Sequence, residues 1–393
     1  MSISRADRSR FGSLWFTMDR TLLTAILSLF AVGLVVSLAA TPAVADRKGF
    51  EPFHFVERHI IFALVGVVVM LTFASLSARE IRRLAGMMFV GCLGLMGYVL
   101  WAGPEINGAR RWLIVAGFSM QPSELAKPAF IILTAWLLAE RQRKPDMPTG
   151  PVMIALFVPF VFMLRLQPDI GQTMLVVAVW GALLVLGGLS LAWPLAAGAL
   201  AAAILGFAYA TQTYVQKRID AFLSGDVAAN MQTERAMRSF SDGGFLGLGP
   251  GAGSIKTDLP DAHTDFILAV IAEEYGAVSC LALLGLYAFI VFRAMARGIA
   301  REDLYVRFSL FGLALLFGGQ ALINMAVNVG LLPAKGMTLP LISAGGSSMI
   351  AVSITLGLIL SFARRTPDTR PLRHVPFVVT PTAGELADEG RRE

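Results

Sequence analysis

Apolar residues in this chain gather into uncharged blocks of about 17 to 25 residues, the length a helix needs to cross roughly 30 Å of hydrocarbon. The blocks fall at 20–41, 59–78, 84–103, 124–140, 150–167, 171–189, 191–211, 265–293, 306–332 and 345–363. Polar or glycine-rich stretches separate them, the longest at 212–264. A membrane barrel is excluded, because the dyad alternation of barrel strands is absent. In lipid each segment must then satisfy its own backbone as a helix. The pattern predicts an all-α integral membrane protein of about ten transmembrane helices, with a large outward loop between helices 7 and 8.

Composition agrees: of 393 residues only 15% are charged and 56% are hydrophobic, with mean hydropathy +0.67. Ordinary soluble domains carry about 25% charge. The formal charge of +6 is compatible with a nucleic-acid partner until its placement is considered. Arg5, Arg8, Arg10 and Arg20 precede the first block; Arg79, Arg82 and Arg83 follow the second; Arg141, Arg143 and Lys144 follow the fourth. Arg293, Arg297, Arg301 and Arg307 follow the eighth, and Arg364 and Arg365 the last. With ten spans these loops all share one side, so the positive-inside rule makes both termini cytoplasmic and no nucleic acid is expected. The loop 212–264 then faces outward; its own cations weigh little, because long translocated loops follow the rule poorly.

The expected organisation is a cytoplasmic tail at 1–18, a membrane domain at 19–365 and a disordered, Pro- and Arg-rich cytoplasmic tail at 366–393. The run Ala39-Ala40-Thr41-Pro42-Ala43-Val44-Ala45 has the small residues of a cleavage site, but the block before it exceeds a signal core, so it is read as an uncleaved first helix. Cys92 and Cys280 both fall inside predicted spans and offer neither a disulfide framework nor a thiolate metal site.

Soluble catalytic signatures fail. Gly247 to Gly253 lacks dinucleotide-binding spacing and has Pro250 where a helix should begin; Gly345-Gly346-Ser347-Ser348 is not a nucleophile elbow; His54, His59, His263 and His374 have no zinc spacing. What remains is a set of ionisable residues at the outward ends of helices, where burial is costly and is met by pairing or by function. Asp265 begins the eighth block, either as a helix cap or first-turn acid, or as a carboxylate able to take a proton from a hydroxyl nucleophile. Glu273 and Glu274 lie deeper in the same block and need partners, which gives at least one a structural role. Glu124 and Lys127 are spaced i, i+3 behind Ser123, a candidate cap; they form a local ion pair, or Lys127 meets an anionic substrate group.

Asn107 to Trp112 reads as a turn and an interfacial piece anchored by Trp112, offering Arg110 or Arg111 to a phosphate. Asp169 lies in the outward break Gln167-Pro168-Asp169-Ile170-Gly171. The stretch Lys335 to Pro340, then Ser343 to Ser348, leads into the last block, whose N–H groups either are simply capped or offer an anion site. This constellation suits a lipid-linked, phosphate-bearing substrate. It suits equally a transporter with a midplane site.

The same motifs, in order, resemble the SEDS family (shape, elongation, division and sporulation proteins), multi-spanning glycosyltransferases that polymerise peptidoglycan from lipid II. They are Asn107 to Trp112, Gln121-Pro122-Ser123-Glu124-Leu125-Ala126-Lys127, Pro168 to Gly171, Leu259 to Ile267, and Pro340 through Ser348, and the resemblance spans about 15–365. Lys335-Gly336-Met337-Thr338-Leu339-Pro340 is similar to the division branch rather than the elongation branch. Two departures stand out: Ala344 replaces a common tyrosine, and Glu234 to Ser239 replaces a more apolar helix.

The resemblance implies glycan polymerisation on the outer face of the bacterial inner membrane, at the division septum. The family's essential acid falls on Asp265, which would deprotonate the 4-hydroxyl of an acceptor GlcNAc for inverting attack on C1 of the donor MurNAc, expelling undecaprenyl diphosphate. Lys127, Arg110 or Arg111, and Lys335 would stabilise the diphosphate with Mg²⁺ or Mn²⁺, with Asp265 or Asp169 as possible ligands. Glu124 and Asp169 would hold those cations; His263, Ser347 and Ser348 complete the expected binding set. The implied partners are lipid II, a class B penicillin-binding protein that cross-links the new strand, and other membrane proteins of the division machinery.

Overall fold

The computed structural model describes residues 16–364 except 48, 107, 116–117, 190–191, 214, 217–219, 221–230, 260 and 334–335. Lys335, all but residues 16–18 of the expected N-terminal tail and the whole expected C-terminal tail lie outside the described residues. Ten helices of 17 residues or more run through the described part: α1 (Arg20–Arg47), α2 (His54–Ser75), α3 (Ala78–Ala102), α4 (Pro122–Arg143), α5 (Thr149–Leu166), α6 (Ile170–Leu186), α7 (Ala192–Thr211), α10 (Ile267–Ile299), α11 (Leu304–Asn328) and α12 (Gly346–Ala363). Two shorter ones, α8 (Met231–Gly243) and α9 (Ile255–Asp258), occupy the long loop. Seven of the long helices are apolar and long enough to cross a membrane by themselves. Cys92 and Cys280 are unbridged, in α3 and α10.

Every predicted block is a helix, but the ends differ where polar residues extend the helix past the apolar core. α3 starts at Ala78, six residues earlier than hydropathy indicates, because Ser77 and Glu80 form a reciprocal capping box. α1 continues through Pro42 to Arg47, so the small-residue run is helical. Leu113–Val115 (β1) and Phe118–Met120 (β2) form an antiparallel hairpin immediately after the 107–112 stretch read as a turn and interfacial piece.

α12 is the central element, with 78% of its apolar window buried, against 28% for α2 and α3. It packs on α2, α11 and α4. Glycine allows the closest approach: a Cβ at Gly357 would lie 2.5 Å from the Met70 carbonyl. In lipid, such backbone proximity replaces the hydrophobic drive available in water.

The expected cytoplasmic cations gather at one end. Arg293 and Arg297 bind Asp19 at 3.1 and 2.6 Å, Arg143 binds Asp303 at 2.9 Å, Arg301 donates to the Phe362 carbonyl, and Arg364 donates to the carbonyls of Ala74 and Leu76. Burial works to raise the Asp19 carboxyl, but bonds from Arg297, the Leu22 N–H and Arg293 outweigh it and hold it below the usual carboxylate range. The candidate motifs gather at the opposite end.

α10 is broken. Gly276 has φ 77° and ψ 174°, and the glycine-rich loop after α8 fills the gap. Leu248 and Gly249 donate to the carbonyls of Glu273 and Glu274 at 2.9 and 3.0 Å, while Ala277 and Val278 donate to those of Gly244 and Phe245 at 2.9 and 3.3 Å. Loop backbone thus supplies the bonds the helix loses, as lipid requires. The two buried glutamates complete the splice: Glu273 accepts the N–H groups of Ser254 and Ile255 at 2.7 and 3.0 Å, and Glu274 accepts that of Gly251 at 3.0 Å and pairs with Lys256.

A Cβ at Gly276 would lie 2.3 Å from the Phe245 carbonyl, on a backbone that side chains rarely adopt. Gly276→Ala should cost about 1–3 kcal/mol. The thermal midpoint in detergent is expected to fall and proteolysis within 244–254 to rise; an unchanged midpoint with a protected loop would contradict the splice.

Candidate active site

Asp265 lies in the turn 261–266, two residues before α10. Phe266 holds the N-cap position, so Asp265 is neither the helix cap nor a first-turn acid, contrary to one of the two expected readings. Asp261, at φ 57°, closes the turn: its carbonyl accepts the N–H groups of Thr264 and Phe266 at 3.0 and 3.3 Å. Asp tolerates this left-handed backbone better than most residues. The Asp265 carbonyl receives the side-chain amides of Asn324 and Asn328 at 2.8 and 2.9 Å. The half-buried carboxylate looks toward Gly336, whose Cβ, if present, would stand 3.7 Å from Oδ2. Gly336 has φ 65°, so glycine there serves both the turn and the space before the acid.

The segment 336–345 is tied to that turn. The Ser343 hydroxyl donates to the Thr264 carbonyl at 2.5 Å and accepts the Leu339 N–H at 2.8 Å, while the Ala344 N–H donates to the His263 carbonyl at 2.9 Å. The Tyr287 hydroxyl donates to the Pro340 carbonyl at 2.5 Å. His263 is buried, its ring 5.2 Å from that of Phe55. Thr338 and Ser348 share a hydroxyl contact of 2.6 Å, and Ser347 is buried beside it in the first turn of α12. Gly345 offers α12 no side-chain cap. The partial positive end of that helix therefore favours an anion.

The other acids and bases form a buried cluster. Lys127 is 2% exposed, and its ammonium contacts Glu124 at 3.0 Å, Gln172 at 2.6 Å and Gln320 at 3.2 Å. Three partners match the three donors of an ammonium, which leaves none for a substrate phosphate. Gln172 also donates to Glu124 at 2.5 Å. Asp169 caps α6 through the Gln172 N–H at 3.3 Å and accepts from Gln121 at 2.9 Å. Burial raises the Asp169 carboxyl above its usual range, opposed chiefly by nearby Arg111. Arg111 itself donates to the carbonyls of Gln167 and Pro168, both at 2.6 Å.

Arg110 is the exposed cation of the set, bonded to the Trp101 carbonyl at 3.2 Å with Glu105 4.0 Å away. Ser123 does not cap α4; Gln121 holds that position, and the Ser123 hydroxyl has no hydrogen-bond partner among the described residues. Among the described residues no three His, Cys, Asp or Glu side chains group to hold a metal.

Five further residues belong here: Gln121, Gln172, Gln320, Asn324 and Asn328. Gln320 bridges the two clusters, accepting from Lys127 and donating to the Thr338 carbonyl at 3.3 Å. Gln320, Asn324 and Asn328 recur at every fourth position of an apolar helix, and that spacing of uncharged amides is the signal the sequence carries for them.

The fold and this site define a polytopic helical membrane protein with its polar centre at one end of the bundle. The model for the FtsW/RodA/SpoVE cell cycle proteins matches residues 20–367, and the chain belongs to that family. It is 42% identical over 367 residues to a probable peptidoglycan glycosyltransferase FtsW of Caulobacter vibrioides, covering 93% of this chain and 94% of that one. A protein of the same description from Trichlorobacter lovleyi is 34% identical over 88% of this chain and 93% of its own. Among solved structures, a peptidoglycan synthase complex, studied for its coordination of polymerization and crosslinking, aligns with TM-score 0.73 and 30% identity over 88% of this chain and 97% of that one. The rod shape determining protein RodA of Thermus thermophilus aligns with TM-score 0.64 and 29% identity, over 90% and 99%.

Lys127→Met should cost about 3–5 kcal/mol, because it leaves Glu124 charged and buried. Adding Glu124→Gln should restore much of the thermal midpoint. Equal losses for the single and double variants in a double-mutant cycle would contradict the coupling.

Proposed function

We propose that this chain is a peptidoglycan glycosyltransferase of the FtsW type, polymerising lipid II on the outer face of the inner membrane during septal wall synthesis. The observation that carries the proposal is the placement of Asp265: an acid outside the helix cap, with its backbone held from below and its carboxylate facing the Gly336 segment. The gathering of arginines at the opposite end supports an outward orientation for it.

In the reaction, Asp265 accepts the proton of the acceptor 4-hydroxyl while that oxygen bonds to C1 of the donor MurNAc. The C1–O bond to diphosphate breaks with inversion, and undecaprenyl diphosphate leaves with the electron pair. One base suffices, because the leaving group is already stable as an anion. We assign the diphosphate to Arg110, Lys335 and the uncapped N-terminus of α12, with Ser347 and Ser348. Lys127, Glu124, Asp169 and Arg111 hold the scaffold behind it, since their bonds are internal.

A divalent cation fits this arrangement as a companion of the diphosphate. Mg²⁺ takes most of its ligands from phosphate and water, with one or two carboxylates. Both oxygens of Asp169 already accept hydrogen bonds, which makes Asp169 a poor ligand for it. The cation would neutralise charge on the leaving group.

A transport reading needs midplane acids. Glu273 and Glu274 instead close the break in α10. A class B penicillin-binding protein is the partner we infer for cross-linking.

With purified lipid II, Asp265→Asn should lower polymerisation by about 10²–10⁴ while remaining folded. Full glycan synthesis by that variant would remove Asp265 as the base. Chelating divalent cations should reduce polymerisation without moving the thermal midpoint; undiminished synthesis would remove the cation.

A further inference from the structure

Two buried amides converge on one backbone atom next to the proposed base. Asn324 and Asn328 are 1% and 0% exposed, and both side-chain Nδ2 groups bond the Asp265 carbonyl. A carbonyl has two lone pairs, so these donors saturate it. Each asparagine also grips something else. Asn324 donates to the Met337 carbonyl at 2.6 Å, and Asn328 accepts the Ala269 N–H at 3.2 Å through Oδ1 and donates back to the Asn324 carbonyl at 2.9 Å. The pair therefore fixes the Asp265 peptide, the first turn of α10 and the segment leading past Gly336 relative to one another. Gln320, one turn away, adds the Thr338 carbonyl to the same ladder.

Packing alone does not require amides here, since a leucine would fill similar space in an apolar helix. What amides add is direction: each bond has a narrow angular optimum, and several together leave the turn one position. A general base works only within hydrogen-bond reach of the proton it takes, and a displacement near 1 Å costs about 10²-fold. The Asp265 backbone cannot drift while both asparagines hold it.

We propose that Asn324 and Asn328 are positioning residues for glycosyl transfer, setting the Asp265 carboxylate against the Gly336 segment. This rests on the reading of Asp265 as the base. The test compares Asn324→Leu, Asn328→Leu and the double variant with wild type and Asp265→Asn, all as full-length protein supplied with lipid II. Three quantities are read: kcat against KM for lipid II, the thermal midpoint, and backbone hydrogen exchange across 259–268 and 336–340.

The double variant is expected to lose about 10²-fold in kcat with KM within about threefold. Exchange in both segments should rise, and that of α12 should stay unchanged. Each single variant should fall between. If the double variant does not fold, Asn328→Ser, which keeps a donor of shorter reach, should show the same pattern at smaller size. Unchanged exchange, or unchanged kcat while Asp265→Asn is inactive, overturns the positioning role alone. Wild-type polymerisation by Asp265→Asn overturns the reading of the base itself.

Discussion

Hydrocarbon offers no hydrogen bonds, so a polar group at membrane depth must find its partner within the protein. That constraint shapes the whole bundle. The Glu124 to Lys127 pair, the amides of α11 and the glutamates at the break in α10 each join segments remote in sequence, because only another helix or a loop can answer them. Lys127 reaches across 193 positions to Gln320, and Lys256 reaches back to the Ala39 carbonyl. The loops at the end opposite the gathered arginines are held in place by these bonds, and Asp265 lies on one of those loops.

The same constraint separates architecture from chemistry. Groups that bond other parts of the chain hold the fold: Lys127, Asp169, Arg111, Glu274. The groups we propose for substrate, Asp265, Arg110 and the first turn of α12, lie instead on or beside pinned loop backbone. A charged residue in a membrane protein is therefore no guide to catalysis until its partners are counted. Backbone strain occurs on both sides of that division: among the described residues Pro168, at φ 24°, stands beside Asp169, while Asp261 and Leu341, at φ 57° and 64°, lie in the two loops bound to one another through Ser343, Thr264 and Ala344. Such conformations persist where surrounding contacts over-determine them.

The ten helices were legible because a span must be long and apolar whatever it packs against. Arginines after the fourth, eighth and last blocks do gather at one end, the grouping on which the expected sidedness rests. Asp265, Glu124, Lys127 and Asp169 were legible as rare charges beside apolar blocks. Their grouping was not, because i, i+3 spacing reveals the Glu124 to Lys127 neighbour but nothing about Gln172 or Gln320 on other helices. Neutral amides carry no charge signal, so Asn324 and Asn328 were passed over despite their four-residue spacing. The splice at Gly276 was hidden for a related reason: a single glycine in an apolar run looks like packing, and the loop that repairs it lies some thirty positions earlier.

The central claim is that Asp265 supplies chemistry while the buried network supplies only its position. Lipid II affinity and single-turnover rate measured on the same Asp265→Asn preparation test it most directly. The account predicts affinity within about threefold of wild type and a rate lower by at least about 10². Loss of affinity in step with rate, or a rate left intact, would contradict it.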